Sequence, residues 1–257
     1  MTVSPPNPPV TLVTGGADRI GAVLCRRLAA AGHRVVIHYR ASRDKAEALC
    51  AEIAAAGGAA RTVRADLADR TQRSALIHRA GEAFGPLTGL INNASTFSPD
   101  RIDDLDEALW DEHFTIHAEA PIFLVRDFAR QLPDGVEGNV VNIVDERVLH
   151  PSPAYFSYFL SKSVLATATT TLAQSLAPNI RVNAIAPGPT LPHTGQSDDA
   201  FARSVKTLPL ERHADPDALA DGLLFILSAR AMTGHILTLD GGRHVEFLPK
   251  RGKTPRR

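Results

Sequence analysis

The sequence predicts an α/β protein: a single domain built on a doubly wound parallel sheet of about seven strands, with helices on both faces. Short apolar, β-branched runs alternate with Ala- and Leu-rich stretches of helical period along nearly all 257 residues, the rhythm of strands joined by helical crossovers. The strand candidates are mostly continuous apolar runs, as strands covered on both faces should be. With 44% hydrophobic and 22% charged residues the chain has enough apolar material for a full core.

Taken in order, a strand over 10–14 enters a glycine-containing turn and a helix over 19–31, closed by Gly32. A strand over 34–39, a helix over 43–56 closed by Gly57, a strand over 60–65 and a helix over 70–84 closed by Gly85 follow. The next pairs are a strand over 88–92 with a long helix over 104–131, and a strand over 139–144 with a helix over 154–176. A strand over 180–185 leads into 187–214, where four prolines and two glycines break the rhythm; a loop of that length is expected to act as a lid over a site. A helix over 215–228 and a strand over 236–239 complete a domain spanning 10–246. The Pro-rich segment 1–9 and the basic segment 247–257 are expected to be tails.

Lys plus Arg and Asp plus Glu are equal at 28 each, which argues against a nucleic-acid partner. The two cysteines, Cys25 and Cys50, lie in Ala-rich helical patterns and suggest neither a disulfide framework nor a metal site. No apolar run reaches the roughly 18 residues of a membrane span, and residues 1–9 lack the pattern of a secretory leader. The expectation is a cytoplasmic protein with no membrane partner.

The chemistry concentrates at predicted strand ends. After the first strand, Thr14-Gly15-Gly16-Ala17-Asp18-Arg19-Ile20-Gly21 opens a helix; such a turn lets backbone N–H groups approach a pyrophosphate, although a Gly-rich turn can also be purely structural. At the end of the second strand, His38-Tyr39-Arg40-Ala41-Ser42-Arg43 has no carboxylate before Asp44. An acid there would hold the ribose 2′-hydroxyl of NAD, whereas Arg40, with Ser42 and Arg43 nearby, suits the 2′-phosphate of NADP(H); the alternative is that these arginines solvate a helix start. Asp66-Leu67 and Asn92-Asn93-Ala94-Ser95 fall at the ends of the third and fourth strands. Tyr158 and Lys162, four residues apart on one helix face, form a Y-x-x-x-K pair in which the ammonium would lower the phenol's pKa and ready it for proton transfer.

Together with Arg181-Val182-Asn183, Pro187-Gly188 and Leu239-Asp240-Gly241-Gly242, these motifs resemble the short-chain dehydrogenase/reductase family over roughly residues 10–244. The resemblance implies a Rossmann-type sheet, hydride transfer between NADP(H) and a small molecule, and a homotetramer. It implies cofactor contacts from Gly15, Arg19, Ile20, Tyr39, Arg40, Ser42, Asp66, Leu67, Asn93, Ala94, Ser95, Tyr158, Lys162, Pro187 and Gly188, with Arg19 standing where the family's middle glycine sits.

Thirteen residues before Tyr158 the family usually has a serine; here it is Asp145, in Val144-Asp145-Glu146. A carboxylate beside a developing alkoxide repels it and raises the tyrosine's pKa, which disfavours simple ketone reduction. A ring with N–H groups or a C=N bond is better served, since a carboxyl accepts from the first and relays a proton to the second. With Arg19, Ser95, Phe97 and the paired Tyr155 and Tyr158, this resembles the pteridine reductase branch, which implies substrate contacts from Arg19, Ser95, Phe97, Asp145 and Tyr158. Phe97 would stack on the heterocycle, or else belong to the core or lid. His117 replaces the family's usual asparagine, either as a proton relay or as a hydrogen-bonded helix residue. The reading is an NADPH-dependent reductase of a pteridine-like heterocycle, with Asp145, Tyr158 and Lys162 catalytic. Its alternatives are a carbonyl or 3-oxoacyl reductase, and an NADPH-binding sensor without turnover.

Overall fold

The computed structural model describes residues 8–193 and 195–245. The tails expected at the two ends fall largely outside the described residues. Seven strands form one parallel sheet: β1 (Val10–Val13), β2 (Arg34–Tyr39), β3 (Ala59–Arg64), β4 (Gly89–Asn92), β5 (Gly138–Ile143), β6 (Ile180–Pro187) and β7 (Ile236–Leu239). Their spatial order is β3-β2-β1-β4-β5-β6-β7. The chain builds outward from β1 in one direction and then returns to build from β4 in the other, so a crevice opens beyond the carboxyl ends of β1 and β4, where open α/β sheets place their ligands. In register, Leu12 lies opposite Val36 on one side and Leu90 on the other.

The strand runs are apolar without alternation because helices cover both faces. Helices α1 (Arg19–Ala30), α2 (Arg43–Ala55) and α8 (Pro216–Ser228) bury Leu24, Leu28, Leu49, Ile53, Leu219 and Leu223 against Val13, Val35 and Ile37. On the other face α3 (Arg70–Phe84) and α5 (Ala120–Gln131) bury Leu76, Leu124 and Phe128 against Val10, Leu12 and Val36. Successive side chains of β1 point to opposite faces, so Val13 enters one core and Leu12 the other. Side-chain caps set several helix starts: Asp69 accepts from the backbone N–H groups of Thr71 and Gln72, and Asp215 from that of Asp217.

Two expectations need correction. The long helix over 104–131 is three segments: α4 (Glu107–Phe114), a π-helical turn Thr115–Glu119, and α5. Pro121 has no N–H to return to the carbonyl four residues earlier, and the ladder widens just before it. The expected lid over 187–214 contains a helix, α7 (Asp198–Val205). Ser197 caps it, accepting from Ala200 N–H, and Asp198 and Asp199 fill its first turn. No helix among the described residues is long and apolar enough to cross a membrane.

Arg181 holds the far side of the sheet together. From β6 its guanidinium donates to the carbonyls of Ile226, Leu227, Ala229 and Met232 at 2.8–3.1 Å, satisfying the end of α8. Charge-assisted bonds of this kind are worth about 1.5–3 kcal/mol each and are not additive. Arg181→Ala is therefore expected to lower the unfolding free energy by about 3 kcal/mol in urea melts; a loss below about 0.5 kcal/mol would show that the carbonyls are satisfied without it.

Candidate active site

The glycine turn after β1 is tied to the end of β4 by side chains of both. Thr14 Oγ1 accepts from the N–H groups of Asn93 and Ala94, each at 3.0 Å, and Asn93 Nδ2 donates to the carbonyls of Thr14 and Gly15 at 2.9 and 3.1 Å. Gly15 has φ +60°, and a Cβ there would sit 3.0 Å from Ala94 Cα; a Cβ on Gly21 would meet Gly15 O at 2.2 Å. Side chains are thus excluded at Gly15 in the turn and at Gly21 in the first turn of α1. Arg19 adopts φ +51°, a left-handed conformation suited to the glycine it replaces, and its guanidinium donates to Pro192 O at 2.8 Å. One contributor was not singled out from sequence: buried His38. Its Nδ1 accepts from Gly15 N–H at 3.0 Å, so Nε2 carries the proton and donates to Ala65 O at 3.1 Å. Burial lowers its pKa to about 4, keeping it neutral.

The second half of the site is where α6 (Phe156–Leu176) meets the end of β5. A buried chain of side chains fixes that contact: Asn92 Nδ2 donates to Asn142 Oδ1 at 2.8 Å, and Asn142 Nδ2 to Thr169 Oγ1 at 2.9 Å. At the start of α6, Asp100 accepts from both the N–H and the hydroxyl of Ser157. The Lys162 ammonium, fully buried, donates to Ile143 O at 2.8 Å. One turn earlier the Tyr158 hydroxyl donates to Asp145 Oδ2 at 3.3 Å, while Asp145 Oδ1 accepts from Arg147 N–H at 2.9 Å.

Burial and then the Asp145 carboxylate hold the Tyr158 phenol well above its usual pKa, while burial brings the Lys162 ammonium down to about 8. The direction expected from Lys162 is downward; the net direction is upward, because burial and Asp145 dominate. In the fold Nζ is engaged with Ile143 and lies 5.8 Å from the phenol ring centroid, while the carboxylate touches the hydroxyl directly. Tyr158 therefore carries its proton at neutral pH. Glu146 is also buried, and burial and then Asp145 push its pKa up to about 9, so its carboxyl favours the neutral form at neutral pH.

His117 sits in the π-helical turn with both ring nitrogens committed. Nε2 accepts from Thr96 N–H at 3.1 Å and lies 3.0 Å from Ser95 Oγ, while Nδ1 faces Ser161 Oγ at 2.9 Å. Burial, and then the Lys162 charge, lower its pKa well below the usual value, so it is a neutral hydrogen-bonding residue. Phe97 is 41% exposed at the cleft edge, stacked on Tyr155 at 4.4 Å and edge-on to Tyr158 at 4.8 Å.

A cleft of about 750 Å³ runs between these two halves, within the range of small-molecule sites. Of the residues expected from sequence, Gly15, Arg19, Ile20, Asn93, Ala94, Ser95, Phe97, Asp145, Tyr158, Lys162, Pro187 and Gly188 line it. Tyr39, Arg40, Ser42, Asp66 and Leu67 do not line it; they follow on the same edge, at or just beyond the ends of β2 and β3. Arg40 and Ser42 are exposed there, and Arg43 is paired with Glu47 at 2.8 Å. Glu146, Arg147 and Arg243 also line the cleft and were given no role from sequence. A carboxyl and two arginines, 97 positions apart at the extreme, carry no local pattern that joins them.

A solved structure similar to this chain is FolM alternative dihydrofolate reductase 1 from Brucella canis, complexed with NADP: 44% identity, TM-score 0.91, covering 95% of this chain and 96% of that one. Pteridine reductase 1 of Leishmania tarentolae is 31% identical, over 94% of this chain and 98% of its own. The 3-oxoacyl-acyl-carrier-protein reductase FabG of Staphylococcus epidermidis is 27% identical, over 91% and 98% respectively. The family model for short chain dehydrogenases matches residues 9–202, a stretch that takes in the glycine turn, the Asn93 segment and the Tyr158/Lys162 pair, and the chain belongs to that family.

Proposed function

We propose that the chain is an NADPH-dependent reductase of a pteridine-like heterocycle. The observation that carries the substrate class is the Asp145 carboxylate within 3.3 Å of the Tyr158 hydroxyl, with its neighbour Glu146 retaining a proton. Similarity to an alternative dihydrofolate reductase solved with NADP and to a pteridine reductase points the same way. An ionised carboxylate at this position opposes an alkoxide but accepts from the N–H groups of a pterin ring.

The cofactor's groups fit what the chain offers. The turn from Gly15 to Gly21, where added Cβ atoms would clash, gives a pyrophosphate close approach to backbone N–H groups at the start of α1. Arg19 and Ile20 flank it, and Asn93, Ala94, Pro187 and Gly188 line the continuation of the cleft. Arg40 and Ser42 would hold the 2′-phosphate beyond β2, with Tyr39, Asp66 and Leu67 around the adenosine half. When bound, NADPH supplies the hydride.

Tyr158 keeps its proton at neutral pH and gives it up as negative charge develops on the substrate, which is the task of a general acid in a reduction. Lys162 holds its cationic charge 5.8 Å from the centre of the phenol ring, and Asp145 orients the substrate's N–H groups. Phe97 offers a flat partner for the ring, with Ser95 and Arg19 as polar contacts. Exposed Leu160 and Val164 on α6, beside Phe114 and Ile122, form an apolar groove that supports self-association into the homotetramer the family suggests. The free cysteines Cys25 and Cys50 fit a cytoplasmic setting.

Tyr158→Phe is expected to lower dihydropterin turnover with NADPH by roughly 100-fold or more, and a loss below about 10-fold would remove Tyr158 as the proton donor. Turnover confined to ketones or 3-oxoacyl thioesters would replace the substrate class, and binding without turnover of either would leave a sensor. Arg40→Glu should move the NADPH-over-NADH preference in kcat/KM by roughly 10-fold or more toward NADH; an unchanged ratio would dissociate Arg40 from the 2′-phosphate. Because Glu146 titrates at about 9 in the fold and near the ordinary carboxyl value when unfolded, the native state binds the extra proton between those limits. That contribution is full below the unfolded pKa and declines as pH rises toward 9. Glu146→Gln removes it, so the variant's unfolding free energy relative to wild type should rise between roughly pH 5 and 8; a difference that is flat or falls with pH would show that Glu146 is ionised.

A further inference from the structure

The cleft carries a second set of charges that proton transfer does not use. After β5, a 3-10 turn at Glu146–Val148 presents Arg147, and after β7 another at Arg243–Val245 presents Arg243. Both side chains line the cleft, and both point an Nε at the same atom, Glu146 Oε1, at 3.4 and 3.6 Å. They are about four-fifths buried, at 19% and 21% side-chain exposure. Arg243 Nε is fully buried without a hydrogen-bond partner.

Two guanidiniums converge on the one Glu146 carboxyl, and at 3.4 and 3.6 Å that carboxyl leaves the buried Arg243 Nε without a hydrogen bond. A buried guanidinium N–H with no acceptor is costly, and such a group in a cleft wall is relieved when a ligand brings the acceptor. The planar fork of arginine matches a carboxylate, and two converging forks match it better than one. The backbone holds both in place: Asp240 accepts from Gly242 N–H, His244 N–H and His244 Nδ1 around Arg243, and Arg147 N–H is bonded to Asp145. Arg147 also lies over the Phe159 ring at 6.0 Å. The pair stands on the β5–β7 side of the sheet, whereas the glycine turn and Arg40 follow β1 and β2. It therefore lies apart from the turns that would hold the cofactor's phosphates.

We propose that Arg147 and Arg243 form an anion subsite that takes a carboxylate on the tail of the substrate, so that the enzyme selects acid-tailed dihydropteridines over neutral ones. This rests on the pteridine reading of the same cleft and adds to it the part of the substrate beyond the ring.

The test compares steady-state reduction by NADPH of dihydrofolate and dihydropteroate, which carry carboxylates, with that of 7,8-dihydrobiopterin, which carries none. Wild type should show a KM for the acid-tailed substrates lower by about 10-fold or more, with the difference shrinking as salt is added. Arg147→Gln and Arg243→Gln should each raise the KM for dihydrofolate by about 10-fold relative to that for dihydrobiopterin, with kcat little changed, and Arg243→Lys should recover part of it. Reduction of all three substrates without dependence on the tail, or variants that weaken dihydrofolate and dihydrobiopterin equally, would overturn the subsite alone. Turnover of none of them, with NADPH still bound by fluorescence titration, would overturn the pteridine reading and the subsite with it.

Discussion

A buried ammonium must find an acceptor, and Lys162 finds one in the last carbonyl of β5, that of Ile143, at 2.8 Å. That bond fixes the rotation of α6 about its axis and its height along the sheet. Tyr158, one turn before Lys162, is then held opposite Asp145, two residues beyond Ile143, and the site is a consequence of the anchor. The Asn92–Asn142–Thr169 chain and the Asp100 cap reinforce it from below and from the helix start. The bonds to Thr169 and Ser157 join α6 to other parts of the chain, so both are unmade if α6 slides.

Protonation in the cleft follows from burial. Burial and then Asp145 raise the Tyr158 phenol and the Glu146 carboxyl, while burial lowers Lys162 and His117. The result is a cleft with a proton-bearing phenol, a carboxyl pushed toward its neutral form and a neutral imidazole. The guanidiniums of Arg147 and Arg243 both face that same carboxyl.

The opposite half of the cleft is governed by backbone conformation. Gly15 and Gly21 allow close approach, while Arg19 takes a left-handed conformation at a position better suited to glycine, a strain of order 1 kcal/mol. In return its side chain reaches the carbonyl of Pro192. His38, neutral and bonded on both nitrogens, braces the turn from β2 and uses the Gly15 N–H, so the amides left to face a phosphate are those further along the turn.

The sequence alone determined what local pattern encodes. Seven apolar runs separated by helical periods specify a doubly wound parallel sheet; the glycine turn and the four-residue spacing of Tyr158 and Lys162 depend on near neighbours in the chain; and the position of Asp145 thirteen residues before the tyrosine is a matter of counting. The division of 104–131 around Pro121 and the Ser197 cap of α7 also had local signals, a helix-breaking proline and a serine before two aspartates, which the broader periodicity obscured. What required tertiary structure was every property set by residues distant in the chain. The Tyr158 phenol is raised and not lowered because the fold buries it against the Asp145 carboxylate. Burial and the neighbouring Asp145 push Glu146 toward its neutral form, and His38 on β2 and Arg243 beyond β7 come from opposite sides of β4. Electrostatic energies depend on distance and burial in space, and neither is written in the spacing of residues along the chain.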